Sequence, residues 1–233
     1  MDTQSDRILT VIVPVFNEAA TVKTLLDQVL ASPAVEEIVV VDDGSTDGTR
    51  EVLQGIDHAR IRVFFHPRNR GKGAAVRTGI AEARAEIVVI QDADLEYDPG
   101  EYPILLDPIR RGVADAVFGS RFLSGSSRVL YYKHRLGNGF LTALSNWATD
   151  LNLTDMETCY KAVRRDLLQS LDLTQERFGI EPELTAKLAR AGARVYEVPI
   201  SYRGRTYDEG KKIGWRDGVQ AIWCIWKYGV LQR

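Results

Sequence analysis

Asp92 and Asp94 stand one residue apart, directly after the apolar run Ile87-Val88-Val89-Ile90 and Gln91. A run this short and this rich in β-branched residues predicts a buried strand, not a helix. In extended chain, residues i and i+2 point to the same side. The two carboxylates would therefore lie together where the strand ends, and like charges so placed repel unless a cation sits between them. A divalent ion with oxygen ligands, completed by phosphate oxygens, fits that need. A polar turn after a core strand is the plainer explanation, because Asp is common in turns. What decides between them is whether other chemistry-bearing residues reach the same place.

Two more strands end in polar, acidic loops. Ile8 to Val13 reads as a strand whose exit loop is Pro14-Val15-Phe16-Asn17-Glu18, and Glu37 to Val41 reads as a strand ending at Asp42-Asp43-Gly44-Ser45-Thr46-Asp47-Gly48-Thr49. Helical spacing follows the first, at Val22, Leu25, Leu26, Val29 and Leu30, and a helix near 47–54 follows the second. Ile61 to Phe65 is a third strand, followed by Arg68-Asn69-Arg70-Gly71-Lys72-Gly73 and a helix over about 74–83. The strand at 87–91 is fourth, and Ala114 to Gly119 is fifth. Strands alternating with helices predict an α/β fold with a mostly parallel central sheet and helices on both faces. Ligands of such sheets bind outside the carboxyl ends of the strands. Asn17/Glu18, Asp42/Asp43 and Asp92/Asp94 are all expected at that edge.

The pattern changes after Gly119. Residues 120–135 read as a loop carrying Arg121, Arg128, Lys133 and Arg135 around the apolar, aromatic Leu130-Tyr131-Tyr132. A helix at about 136–150, a turn at 153–158, a helix at 181–191 and a strand from Arg194 to Tyr202 follow, with Pro199 placing that strand near a sheet edge. The stretch Arg203 to Lys212 is basic and glycine-punctuated, suited to folding over phosphates. A last helix, from about Trp215 to Gly229, bears Trp215, Trp223, Trp226 and Tyr228. It packs on the core or lies at a membrane boundary, where Trp and Tyr are favoured.

The chain has 233 residues and a formal charge of -2. That charge argues against a nucleic-acid partner. Cys159 and Cys224 make no disulfide framework and read as two buried thiols in a reducing compartment. No apolar run approaches the roughly 18 residues of a membrane span, and Met1 to Asp6 lacks a signal-peptide pattern. The expectation is a cytoplasmic protein, free or peripheral on the cytoplasmic face of a membrane. No linker or composition break divides the chain, so 1–233 reads as one domain.

Val13-Pro14-Val15-Phe16-Asn17-Glu18, Val41 to Thr49, Asn69-Arg70-Gly71-Lys72-Gly73 and Asp92-Ala93-Asp94 together resemble inverting glycosyltransferases of family 2, with their GT-A fold. Gly119-Ser120-Arg121-Phe122, Phe178 to Glu183, and Val198-Pro199 through Lys211 resemble the dolichyl- and polyprenyl-phosphate mannose or glucose synthase branch. The resemblance implies a nucleotide-sugar-binding half over 1–119 and an acceptor-binding half, with the C-terminal helix, over 120–233. It implies that Pro14, Phe16 and Glu18 line the nucleotide pocket, that Val41 and Asp43 contact the base, and that Lys72 and Ala93 belong to the same donor site. Asp92 and Asp94 would hold Mg2+ or Mn2+ on the diphosphate. Glu96, where many relatives have Gln, would be a third oxygen donor. Arg121 and Arg135 match positions linked to acceptor phosphate or sugar, and Arg205 and Lys211 match a late loop that closes on the donor. Asp155 lies near where relatives keep an active-site acid, with Glu157 a second candidate.

The implied donor is a UDP- or GDP-hexose, and the implied acceptor a polyprenyl phosphate. Leaving-diphosphate stabilisation needs a cation and Arg or Lys, whereas an anionic phosphate acceptor needs less help from a base than a hydroxyl does. A saccharide or other hydroxyl acceptor is the main rival. A phosphatase of the Asp-x-Asp type would carry its pair on the first strand, not the fourth. A sugar nucleotidyltransferase would have a glycine-rich loop where Val13 to Glu18 stands. An inactive nucleotide-sugar-binding module fits poorly with the intact Asp92/Asp94 pair and Arg205.

Overall fold

A computed structural model describes residues 7–123, 128, 131–206 and 215–232. Its centre is a seven-stranded sheet in the order β3-β2-β1-β4-β6-β5-β7. The strands are β1 (Leu9–Val15), β2 (Val35–Asp42), β3 (Ile61–Phe65), β4 (Ile87–Ile90), β5 (Ala116–Ser120), β6 (Lys161–Arg164) and β7 (Val195–Pro199). β3, β2, β1 and β4 pair in parallel, β5 and β7 pair in parallel, and β6 runs antiparallel to both its neighbours. β1, β2 and β4 therefore all end at one edge of the sheet, which brings their acidic exit loops together.

The strands form where the sequence is apolar on both sides, as parallel strands covered by helices must be. Val11, Ile12 and Val13, Val39 to Val41, and Ile87 to Val89 are fully buried. The helices are α1 (Val22–Ala31), α2 (Thr49–Gln54), α3 (Lys72–Glu82), α4 (Tyr102–Arg110), α5 (Tyr132–Thr149), α6 (Arg165–Ser170), α7 (Ile180–Arg190) and α8 (Trp215–Ile225). The helical path widens to π-type turns over Trp226–Leu231. β7 lies at the sheet edge, where Pro199 predicts it.

Three elements escape the sequence pattern. α4 carries Pro103 in its first turn, where a missing N–H costs nothing, and Pro108 near its end. β6 and α6 meet at Arg164 and Arg165, and β6 opens on a lysine, so neither shows an apolar period. α5 also starts earlier than expected, at Tyr132, which places Lys133 and Arg135 on its first turn. Cys159 and Cys224 are buried free thiols.

Candidate active site

The loops after β1 and β2 are stitched to each other. Asn17, at φ 54°, donates its N–H to Ser45 Oγ and accepts from the Thr46 N–H, each at 2.9 Å. The Glu18 N–H donates to Thr49 Oγ1 at 2.9 Å. The adjacent carboxylates Asp42 and Asp43 serve two different anchors. Asp42 accepts from Arg50 Nε and Nη2 at 3.1 and 2.9 Å and from the Ser45 N–H at 3.2 Å. Asp43 accepts from the N–H groups of Arg70 and Gly71, the latter at 2.7 Å, and lies 2.7 Å from His66 Nδ1. These bonds fix the loop that opens α3. Gly71 there has φ 105°, and a Cβ at this position would lie 2.4 Å from the Glu176 carbonyl oxygen. Only glycine fits that backbone and that contact.

The loop presents Lys72 to the Asp-x-Asp segment. Lys72 Nζ lies 2.9 Å from Asp92 Oδ1 and 3.3 Å from Glu181 Oε1. Burial opposes its charge, but the Asp92 and Glu181 carboxylates outweigh that and raise its pKa well above the ordinary lysine value. Asp94 has the opposite problem. Burial, then the Asp92 and Glu96 charges, push its carboxyl up to about 7. Leu95, between Asp94 and Glu96, adopts φ 62°, a left-handed conformation that costs a non-glycine residue about 1 kcal/mol or more.

A late segment lies across these acids. Arg205 donates from Nη1 and Nη2 to the two carboxylate oxygens of Glu18, at 3.2 and 3.1 Å, and from Nε to the Asp94 carbonyl at 3.0 Å. Glu96 holds that segment down: its carboxylate accepts from Tyr202 Oη at 2.7 Å and from the Arg205 N–H at 2.6 Å. Its two oxygens are thus engaged by the strap that carries Arg205.

Beyond β5 a second cationic centre forms. Arg121 donates from Nε and Nη2 to the two oxygens of Asp155 at 2.6 and 2.8 Å, its own N–H adds a third bond at 3.1 Å, and Asn138 Nδ2 a fourth at 3.0 Å. The Arg121 guanidinium sits 5.1 Å from the Tyr202 ring centroid and 5.6 Å from that of Phe122. The Arg135 guanidinium also lies over the Phe122 ring, 5.5 Å from its centroid. Asp155 is fully buried and its oxygens are occupied, which marks it as the anchor of Arg121 and not as a free base. Glu157 differs: burial and the Glu181 charge push its carboxyl up to about 7, and its Oε1 is buried with no hydrogen-bond partner among the described residues.

Glu18, Lys72, Asp92, Asp94, Glu96 and Arg205 are thus linked into one contact network, and Arg121, Arg135 and Asp155 into a neighbouring one joined to it through Tyr202. Pro14 and Phe16 are half-buried at the sheet edge. Two expected residues offer no side chain to a ligand. Val41 packs against Val39, Ala75 and Phe64, and Ala93 is in the main core. Burying a valine is worth roughly 1.5–3 kcal/mol, which commits Val41 to packing. Asp43 shapes the Lys72 loop with the same oxygens that a base contact would use. Lys211 lies outside the described residues. Asn138, Lys161, Glu181 and Tyr202 carry roles that sequence reasoning did not assign. Lys161 could have been found as a lone cation between apolar Cys159-Tyr160 and Ala162-Val163.

A sheet with one reversed strand, and an Asp-x-Asp pair at the carboxyl edge of its parallel part, defines a GT-A type glycosyltransferase. Residues 10–172 match Glycosyl transferase family 2, and the chain belongs to that family. It is 30% identical to an undecaprenyl-phosphate mannosyltransferase of Micrococcus luteus, over 97% of this chain and 96% of that one. It is 28% identical to a polyprenol monophosphomannose synthase of Mycolicibacterium smegmatis, over 96% and 87%. Other curated relatives are longer, and the chain spans less than two thirds of their length. Among solved structures, glucosyl-3-phosphoglycerate synthase from Mycobacterium tuberculosis superimposes with a TM-score of 0.73 at 24% identity, covering 97% of this chain and 81% of that one.

Proposed function

We propose that this glycosyltransferase moves a hexose, with inversion, from a UDP- or GDP-sugar to a polyprenyl phosphate. The observation that carries the reading is the pairing of two centres of different character. One is an acid-rich donor edge crossed by Arg205. The other is a cationic centre of Arg121 and Arg135 set among aromatic rings, suited to an anionic acceptor with an apolar tail. The Micrococcus luteus and Mycolicibacterium smegmatis relatives act on such lipid phosphates, which supports the same choice. On this reading residues 1–119 hold the donor and 120–233 the acceptor within one domain.

A divalent ion fits the donor edge. Asp92 and Asp94 are hard oxygen donors suited to Mg2+ or Mn2+, and the carboxyl of Asp94, pushed up by burial and by the charges of Asp92 and Glu96, marks a buried excess of negative charge that a cation would relieve. Asp92 and Asp94 would hold the ion, with Glu96 beside them anchoring the strap. The ion supplies charge stabilisation to the leaving diphosphate. Lys72 adds a fixed positive charge on the Asp92 side. Arg205, held by Glu18 and the Asp94 carbonyl, brings a guanidinium whose charge favours the diphosphate as it leaves. Arg121, aligned by Asp155, and Arg135 orient the acceptor phosphate, whose oxygen is already anionic and attacks the anomeric carbon from the opposite side.

No helix among the described residues is long and apolar enough to cross a membrane. A peripheral contact through α5 and α8 is part of this proposal. Tyr132, Phe140 and Trp147 on α5 and Trp223 on α8 are all more than half exposed. α5 carries no acid, while Lys133 and Arg135 sit in its first turn.

The test is a transfer assay with UDP-glucose, UDP-galactose, GDP-mannose and GDP-glucose against a polyprenyl phosphate, with Mg2+, Mn2+ or a chelator. Lipid-linked product that disappears with chelator is expected. Transfer to free saccharides but not to the lipid phosphate would overturn the acceptor assignment.

A further inference from the structure

Four buried side-chain polar atoms lack a hydrogen-bond partner among the described residues: Arg62 Nε, Glu157 Oε1, Thr158 Oγ1 and Glu181 Oε1. Buried polar atoms are nearly always paired, yet three of these four belong to residues linked to one lysine, Lys161. The Lys161 ammonium, itself buried, donates to the Thr158 carbonyl and to Glu181 Oε2, and it is a charged neighbour of Glu157. Glu181 Oε1 lies 3.3 Å from the Lys72 ammonium, as an ion pair. Thr158 is fully buried, whereas the residue Glu157 is only partly buried. Apolar replacements would fill such a place at less cost, so the unmet hydrogen-bonding capacity points to a polar guest.

The position of the group within the site narrows what that guest is. On one side Glu181 touches Lys72, which holds Asp92. On the other, Glu157 feels the charges of Arg121 and Asp155. The pair thus bridges the leaving-group side and the acceptor side. In an inverting displacement the sugar being transferred must sit between those two. We propose that Glu157 and Thr158, backed by Glu181 and Lys161, form the pocket that binds the hydroxyls of the transferred sugar and sets which hexose is accepted. The proposal rests on the donor and acceptor assignment above.

Pyranose hydroxyls are at once donors and acceptors, and their axial or equatorial arrangement distinguishes one hexose from its epimers. A carboxyl whose proton is shared near neutral pH serves both kinds of hydroxyl contact, and burial with the Glu181 charge puts Glu157 in that state. Thr158 Oγ1 offers a further donor and acceptor. A site built to hydrogen-bond a hydroxyl discriminates strongly, because a wrong epimer leaves buried groups unpaired.

The experiment is calorimetric titration of the full chain, in Mn2+, with UDP and GDP alone and with their glucose, galactose and mannose derivatives. Glu157→Gln keeps the size of the side chain and removes its charge. It is expected to weaken the preferred nucleotide sugar tenfold or more and to narrow the preference among epimers. Affinity for the matching nucleoside diphosphate should stay within twofold. Thr158→Val, which keeps the shape and removes the hydroxyl, is expected to show the same selective loss. It carries the test if Glu157→Gln does not fold. Equal losses for diphosphate and nucleotide sugar, or no loss for either, would overturn the sugar-pocket assignment alone. Failure of the unaltered chain to bind any nucleoside diphosphate with Mn2+ would overturn the donor assignment and this one together.

Discussion

Asp155→Asn separates two roles that the same residue could have. Asp155 is fully buried and receives bonds from Arg121 Nε, Nη2 and backbone N–H and from Asn138 Nδ2. The Arg121 side chain is 16% exposed and has this carboxylate as its ion-pair partner. An asparagine preserves the volume but turns an NH2 group towards an N–H donor and leaves a largely buried guanidinium without its counter-charge. Removing one partner of a buried pair costs about 3–5 kcal/mol. For a chain of this length each kcal/mol lowers the melting temperature by roughly 2–4 °C, so the variant should melt about 6–20 °C below the unaltered protein. Thermal denaturation followed by circular dichroism measures this directly. Transfer should fall as well, chiefly through a raised KM for the acceptor, because Arg121 loses its alignment. The double variant Arg121→Gln/Asp155→Asn removes both charges and should recover much of the melting temperature without recovering transfer. If Asp155→Asn melts within 2 °C of the parent while kcat collapses, the anchor reasoning is wrong and Asp155 acts in the chemistry.

The metal-free protein should lose stability as pH rises through the interval from the usual aspartate range to about 7. In that interval the folded Asp94 keeps a proton that the unfolded chain has released, so folding binds protons and is disfavoured by raising the pH. Melting curves in a chelator from pH 4.5 to 8 test the slope, and Asp94→Asn should reduce it, leaving the share of Glu157, whose carboxyl burial also pushes up to about 7. Added Mn2+ should raise the melting temperature more at pH 8 than at pH 5, since the ion competes with that proton. Glu96→Ala frees Tyr202 and the Arg205 N–H from their common acceptor and should raise the donor KM about tenfold or more. Glu96→Gln keeps one acceptor oxygen, so steady-state kinetics should show a smaller rise. Gly71→Ala places a methyl 2.4 Å from the Glu176 carbonyl at φ 105°. It should destabilise the fold by more than about 1 kcal/mol and weaken nucleoside diphosphate binding by displacing Lys72, both measurable by melting and titration.

The parallel half of the sheet was legible because its information is local. β1, β2 and β4 are short β-branched runs, each closed by acids, and parallel pairing alone brings those acids to one edge. β6 was not legible for a physical reason. Its opening residue, Lys161, is buried, and a buried lysine is tolerated only beside a partner such as Glu181, which lies 20 positions away in sequence. A strand that takes its charge compensation from a distant helix shows no apolar period of its own. α4 was hidden by its two prolines: Pro103 falls in the first turn, where its missing N–H costs nothing, but Pro108 inside the helix argues against one on sequence alone.

Within the site, residue type was a better guide than residue role. Acidic strand ends signalled a site, but four of their carboxylates do different things. Asp42 ties down Arg50, Asp43 shapes the glycine loop, Asp92 pairs with Lys72, and Asp94 alone is left with an excess of negative neighbours. A carboxylate's role is set by whether its oxygens are already taken, and that depends on which backbone N–H groups and cations the fold delivers. The same reasoning separates Asp155 from Glu157, two positions apart on one turn: the first has both oxygens bonded, the second has one without a hydrogen-bond partner among the described residues. A paired carboxylate still has its use: Asp92 keeps Lys72 beside it, and Asp94, which accepts the Glu96 N–H at 3.1 Å, carries the excess negative charge that a cation would relieve.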